Sequence, residues 1–187
     1  MELISLFIAS LLTENIVLTK FLGLCPFFGN SSRERVAVSM GICVTIITVL
    51  SSIITFFIYN FVLVPTGTVY LKTLMFILVI ACLVQLLILI IKNKFKTIYK
   101  SLGIYLSLIT TNCAVMGVVL LGVNNNYNLL ETIVYSFGSS LGFFIVIYVF
   151  STIRERLNNV PDSFKGLPIA FITASIMALI FERFIGI

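Results

Sequence analysis

Two cysteines are each followed four positions later by a glycine, in segments whose thiols could bind a metal. Cys25-Pro26-Phe27-Phe28-Gly29 and Cys113-Ala114-Val115-Met116-Gly117 share this C-x-x-x-G pattern at an offset of 88 residues. Thiolates favour iron–sulfur clusters, zinc or copper(I), and a [2Fe–2S] cluster ordinarily takes four cysteines. Because the chain contains no histidine, two thiols cannot complete such a site without ligands from a second chain.

The alternative use of these thiols is packing, since a buried free cysteine behaves as a small hydrophobe. Cys43 and Cys82 lie in uniformly apolar sequence and are interpreted in this way. For Cys25 and Cys113 both interpretations stay open, and their position in irregular segments favours ligation. No two cysteines have CxxC spacing, which argues against a secreted disulfide framework.

The composition determines the environment in which these segments fold. Of the 187 residues, 60% are hydrophobic and 10% are charged, whereas soluble domains carry about 25% charged residues. A water-soluble fold and a disordered chain are both excluded, because either would leave too much apolar surface in water. The sequence predicts an all-α polytopic membrane protein, whose net charge of +5 reports topology rather than nucleic-acid binding.

Charged and turn-forming residues divide the chain into six apolar segments, and a spanning helix needs about 20 residues. We predict six transmembrane helices, at about 3–24, 36–60, 69–92, 100–122, 129–151 and 168–186. Nine of the 12 basic residues fall in the loops after the first, third and fifth spans, including the four lysines between positions 92 and 100. Because cytoplasmic loops collect Lys and Arg, both termini are predicted to lie outside the cytoplasm.

The order of the spans predicts an internal repeat. Three spans separate the two cysteine motifs, so the second motif enters the membrane from the other side. This is the layout of an inverted-topology repeat, whose functional sites lie near the midplane on interrupted helices. We predict a single integral membrane domain over 1–187, with two inverted three-helix repeats at about 1–91 and 92–187.

Both cysteine motifs carry signs of an interrupted helix. Pro26 has no N–H group and disfavours helical geometry at Cys25. The polar run Thr110-Thr111-Asn112 directly precedes Cys113. Irregular backbone inside a membrane is tolerated only where it is buried in protein or lines a cavity. The first and fourth helices are therefore expected to be broken.

Two charged residues, Glu14 and Lys20, fall inside the first predicted span. An intramembrane carboxylate is a candidate functional group; the alternative is a carboxyl group protonated or hydrogen-bonded to Thr13, Asn15 or a partner chain. Lys20 does not face Glu14 at helical spacing, and it is expected to reach the cytoplasmic interface or to face a negatively charged cluster. The candidate ion path or cluster environment comprises Glu14, Lys20, Thr110, Thr111 and Asn112.

Longer segments resemble a known family, the A subunits of bacterial Rnf complexes, which are ion-translocating ferredoxin:NAD oxidoreductases. The resemblance lies in TKFLGLCPFFG (19–29), LGIYLSLITTNCAVMG (102–117), ETIVYSFGSSLGFF (131–144), IRERLNNVP (153–161) and FKGLPIAFITASIM (164–177). It covers essentially the whole chain. The wider family includes the D and E subunits of the sodium-translocating NADH:quinone reductase.

This resemblance implies a six-helix, inverted-repeat subunit of the bacterial cytoplasmic (inner) membrane. It implies a homologous E subunit in opposite orientation and a [2Fe–2S] cluster shared with it, for which Cys25 and Cys113 are this chain's ligands. The complex would couple electron transfer between ferredoxin and NAD to sodium or proton transport. The flavins and soluble clusters would belong to other subunits (B, C, D and G).

The predicted function is that of a non-catalytic electron relay that contacts membrane lipid and binds no flavin, nicotinamide or nucleic acid itself. One alternative is a small non-redox secondary transporter, or an ion channel subunit, with its site at the broken helices. A purely structural scaffold subunit is a third class, and it would require the cysteine motifs to be incidental.

Overall fold

The computed structural model describes residues 2–30, 34–67, 69–94, 108–109, 111–157 and 166–185. Within these ranges the regular structure is helical, with no strand. The helices are α1 (Glu2–Ile8, continued by a π-helical turn Ala9–Thr13), α2 (Leu24–Asn30), α3 (Glu34–Ile58, continued through Tyr59–Leu63 and Val64–Thr66), α4 (Lys72–Lys94), α5 (Cys113–Asn124), α6 (Leu129–Arg156) and α7 (Leu167–Ile185).

Three described helical stretches are long and apolar enough to cross a membrane: Glu34–Leu63, Lys72–Ile90 and Leu129–Arg156. Leu3–Thr13 and Cys113–Asn124 are shorter apolar helices. Large apolar side chains are exposed along α4 and α7, as expected of surfaces that face lipid rather than water, among them Leu74, Leu78, Leu86, Leu179 and Ile180. The predicted all-helical class is confirmed over the described residues, whereas the six spans and the two inverted repeats stay predictions.

The centre of the protein is formed by α3 and α6, which pack closely against each other. Gly41 of α3 lies against the ring of Phe144, where a Cβ atom would have no room. Buried hydroxyl side chains line both helices: Thr48, Ser51, Ser52 and Thr55 on α3, and Ser136, Ser139 and Ser140 on α6. Small and hydroxyl residues let helices approach closely in a membrane, where packing rather than the hydrophobic effect drives association.

Several of these buried hydroxyls are satisfied within their own helix. Thr48 Oγ1 donates to the Val44 carbonyl at 2.7 Å, and Ser136 Oγ donates to the Ile133 carbonyl at 3.1 Å. Such bonds to the preceding turn use the polar group without breaking the helix. Three of the hydroxyls between α3 and α6 have no hydrogen-bond partner among the described residues, namely those of Ser52, Thr55 and Ser139, so bonds to the preceding turn satisfy only part of this polar core.

The second predicted span is longer than the sequence indicated. Its predicted end at Asn60 is wrong, because the helix continues through a π-helical turn over Tyr59–Leu63 and an α-helical turn over Val64–Thr66. It ends at Gly67, whose left-handed backbone (φ +68) closes the helix. A residue without a Cβ atom adopts this conformation at little cost.

The first helix is interrupted, but earlier than Pro26 indicated. α1 and its π-helical turn end at Thr13, residues 14–23 form turns, and α2 begins at Leu24. The prediction that Pro26 holds Cys25 out of helical geometry is wrong, because both residues lie in the first turn of α2. Proline is tolerated there, since an N–H group in the first turn has no partner within its own helix.

The fourth predicted helix is described only in its second part. Leu108 and Ile109 are helical, Thr111 and Asn112 are not, and α5 begins at Cys113. The predicted interruption before Cys113 is thus present at Thr111 and Asn112. Thr110, the start of this span at 100–107, and the basic residues Lys96, Lys100 and Lys165 lie outside the described residues.

Candidate functional site

Cys113 is the first residue of α5, directly after its cap. The backbone of Asn112 is extended (φ −72, ψ 109), and its side-chain oxygen accepts a hydrogen bond from Ala114 N at 3.0 Å. Asparagine is among the strongest capping residues, because its side chain satisfies a backbone N–H that the helix leaves unpaired. Cys113 therefore lies at the amino end of α5, where backbone N–H groups have no partner within the helix.

Cys25 occupies a similar position in α2. Gly23 precedes this helix, and its carbonyl accepts the hydrogen bond from Phe27 N at 3.2 Å. Cys25 is the second residue of the helix and is exposed, whereas Cys113 is half-buried. Each cysteine of a C-x-x-x-G motif is thus in the first turn of a helix that follows non-helical backbone.

The two cysteine segments meet in the structure. Gly23 N–H donates a hydrogen bond to Cys113 Sγ with an N–S distance of 2.9 Å. The contact joins residues 90 positions apart in the chain. The segment that leads into Cys25 therefore contributes directly to the surroundings of Cys113.

The glycines of the two motifs also receive side chains from each other's segments. Leu22 fills the space where a Cβ atom on Gly117 would lie. Leu108 lies beside Gly29 at a greater distance, since its Cδ1 would be in ordinary contact, 3.5 Å, with a Cβ atom there. Each motif's glycine accommodates a leucine from the residues just before the other cysteine, so the two segments interlock.

Aromatic packing holds α2 against the rest of the protein. Phe27 is completely buried, and its ring stacks on Phe150 of α6 with centroids 4.2 Å apart. Phe28 packs on Phe171 of α7 at 4.5 Å. Arg154 Nη1 donates to the Phe28 carbonyl at 3.0 Å. A helix of seven residues is not stable alone, so these contacts determine where Cys25 lies.

The segment over residues 14–23 is organised by Asn15, which is buried to 1% exposure. Its side-chain oxygen accepts from Val17 N at 3.1 Å, and its carbonyl accepts from the Thr19 hydroxyl at 2.6 Å. The Leu22 N–H donates to the Ile16 carbonyl at 3.1 Å. These bonds satisfy backbone groups that would otherwise be unpaired in an apolar environment.

Glu14 and Lys20 are both exposed on this segment. The helical spacing used to separate them does not apply, because residues 14–23 are not helical. The two neighbours considered as partners for Glu14 donate elsewhere: the Thr13 hydroxyl to the Ala9 carbonyl at 2.9 Å, and the Asn15 amide to the Leu11 carbonyl at 3.5 Å. A role for Glu14 in an ion path stays a prediction. Thr111 is exposed within the interruption before Cys113.

The groups around Cys113 suit a negatively charged metal–sulfur centre. The Gly23 N–H already points at Sγ. Asn112 Nδ2 is buried and has no acceptor among the described residues, so an additional electronegative group nearby would satisfy it. No group of three or more His, Cys, Asp or Glu side chains gathers within the described part of the chain, so a four-ligand site here would need ligands from elsewhere.

Sequence reasoning missed two residues that position the site. In the sequence, Arg154 is one of the nine basic residues that indicate the cytoplasmic side, and nothing in its sequence context points to the Phe28 carbonyl. Asn15 was considered only as a partner for Glu14. The sequence does place this amide side chain inside an apolar span. An amide in such an environment needs hydrogen-bond partners, which could have indicated that Asn15 organises the backbone around it.

The fold is that of a helical membrane protein. Two of its cysteines, Cys25 and Cys113, each lie in the first turn of a helix, and the segments that carry them contact each other. The chain belongs to the Rnf-Nqr family, described as "Rnf-Nqr subunit, membrane protein", which matches residues 3–187. It is 46% identical over 188 residues to the A subunit of the ion-translocating oxidoreductase complex of Yersinia pseudotuberculosis, covering 100% of this chain and 97% of that protein. The protein of the same name from Vibrio cholerae is 45% identical with the same coverage. The resemblance found in the sequence is confirmed.

Proposed function

We propose that this chain is a membrane subunit of an ion-translocating oxidoreductase complex and carries electrons through a [2Fe–2S] cluster shared with a homologous subunit. Membership of the family and the names of the curated relatives support a place in such a complex. The hydrogen bond from Gly23 N–H to Cys113 Sγ is the observation that carries the site, because it brings the two cysteine segments together.

Cys25 and Cys113 are the proposed iron ligands of this chain. The exposure of Cys25 supports a partner chain, because a partner could approach this thiol without unfolding α2. Phe21 is 63% exposed and Lys20 is also exposed on the segment that leads to Cys25. The simplest partner is the homologous E subunit in opposite orientation, since it would supply the second pair of thiols.

The residues around the thiols have separable roles. A [2Fe–2S] cluster would supply a one-electron acceptor at this position. With the cluster bound, the Gly23 N–H would donate a hydrogen bond to the Cys113 sulfur, and the capped amino end of α5 would stabilise negative charge there. The rings of Phe27 and Phe143 are buried in this chain and would exclude water from the inner side of the cluster. The chain is then a relay, while oxidation of ferredoxin and reduction of NAD belong to other subunits (B, C, D and G).

Coupling to sodium or proton transport is part of the proposal. Glu14 and Lys20 lie on the same non-helical segment as Gly23, so the charged residues and the donor to Cys113 share one stretch of backbone. Thr111 and Asn112 directly precede Cys113 in the chain. In this arrangement, a change of charge at the cluster ligands would act on the segment that bears Glu14 and Lys20.

The basic loops favour an orientation with both termini outside the cytoplasm. A reporter fused after Ile187 tests this orientation and should be active outside the cytoplasm. Reporter activity in the cytoplasm would contradict it.

The experiment is electron paramagnetic resonance on the intact, reduced complex purified from membranes. Cys25→Ser and Cys113→Ser should each abolish one [2Fe–2S] signal, because each removes a ligand that the described residues do not replace. Cys43→Ser and Cys82→Ser are matched controls in the apolar helices α3 and α4, and they should keep the signal. Unchanged signals and iron content in all four variants would reject the relay and favour the non-redox transporter.

A further inference from the structure

We propose that the backbone N–H of Gly23 raises the reduction potential of the cluster by its hydrogen bond to Cys113. This inference rests on the proposed function and adds a potential-tuning residue to it. The N–S distance is 2.9 Å, and Gly23 is buried. The donor therefore acts in a low-dielectric environment, where a hydrogen bond is electrostatically stronger than in water.

The direction of the effect follows from charge. Reduction adds one electron to the cluster and increases the negative charge on its ligand sulfurs. A hydrogen bond to a ligand sulfur stabilises the more negative form, and hydrogen bonds to sulfur are among the groups that set cluster potentials. Loss of the Gly23 donor should therefore lower the potential and make the cluster harder to reduce.

The structure requires glycine at this position. The φ angle of Gly23 is +83, a conformation that residues with a Cβ atom rarely adopt. A Cβ atom would lie 2.9 Å from Ala114 Cβ and 3.1 Å from Phe143 Cε2, which is closer than packed carbon atoms normally approach. Any larger residue would displace the backbone and with it the N–H group. Gly23 thus links the start of α2 to the electron affinity of a thiolate on α5.

The test is a redox titration of the intact complex followed by electron paramagnetic resonance, with Gly23→Ala as the main variant. At the midpoint potential of the unmodified complex, the ratio of reduced to oxidised cluster should fall about tenfold, which corresponds to 59 mV for a one-electron couple. Gly122→Ala is the matched control. It changes a glycine of α5 outside the cysteine motif, where a Cβ atom would meet nothing within 4 Å, and it should leave the midpoint unchanged.

A second variant covers the case in which Gly23→Ala does not retain the cluster. Gly23→Ala combined with Ala114→Gly removes the 2.9 Å contact between Cβ atoms but keeps the strained φ angle. A retained cluster with a lowered midpoint in either variant supports the proposal. A retained cluster with the original midpoint in Gly23→Ala, or no cluster in both variants, overturns it and leaves Gly23 with a packing role only. If the unmodified complex lacks the signal altogether, it is the proposed function that fails.

Discussion

The two cysteine-bearing helices begin in different ways, although they carry the same motif. α5 has 12 residues and begins after Asn112, whose side chain caps it. α2 has seven residues and begins after Gly23, which has no side chain to contribute. Cys113 is consequently positioned by local hydrogen bonding, whereas Cys25 is positioned by the packing of α2 on α6 and α7. Two cysteines of the same motif are thus fixed by different kinds of interaction.

The largest effect expected from this difference is at Phe27, the buried anchor of α2. Phe27→Ala removes the ring that stacks on Phe150 and should lower the free energy of unfolding by about 3–5 kcal/mol. Thermal unfolding in detergent measures this loss. Phe61→Ala is the control, since that ring is 75% exposed and its removal leaves no cavity. Equal melting temperatures for the two variants would contradict the anchoring role.

A smaller effect is expected at Arg154, the second anchor of α2. Arg154→Gln removes a charge-assisted bond to the Phe28 carbonyl and should destabilise the protein by about 1.5 kcal/mol. The matched control is Arg156→Gln, which removes the same charge from an exposed position in the same last turn of α6. If both variants unfold at the same temperature, the bond to Phe28 contributes no stability beyond the charge itself.

The smallest effect is expected at Asn112, which caps the other cysteine-bearing helix, α5. Asn112→Ala removes the acceptor for Ala114 N and should cost about 1 kcal/mol. Asn112→Ser keeps a capping oxygen and should recover most of this stability. Thermal unfolding of the two variants measures the difference in stability between them. A serine variant as unstable as the alanine variant would assign the role of Asn112 to its amide nitrogen rather than to capping.

Much of the architecture could be predicted from the sequence because it depends on composition and on local signals. Long apolar stretches bounded by charge predicted the helical membrane class, and the polar residues before Cys113 predicted an interruption there. Pro26 was misinterpreted because proline breaks a helix only beyond its first turn. The break over residues 14–23 depends on hydrogen bonds of a buried Asn15, which a single apolar span does not reveal.

The contact between the two cysteine segments and the anchoring of α2 could not be predicted, because both depend on distant parts of the chain. The Gly23 N–H and Cys113 Sγ are 90 residues apart in sequence, and Arg154 reaches a carbonyl 126 residues away. Neither contact has a local pattern. The C-x-x-x-G motif indicated that the two segments are related, but the leucines beside its glycines became visible only in three dimensions.

The contacts that hold α2 join an early part of the chain to a later one. Phe27 and Phe28 are translated well before their ring partners Phe150 and Phe171, and the polar anchor Arg154 follows Phe28 by 126 residues. These contacts can therefore hold α2 only after α6 and α7 have been made. Under the proposed function, the metal centre would be assembled only after that point in translation.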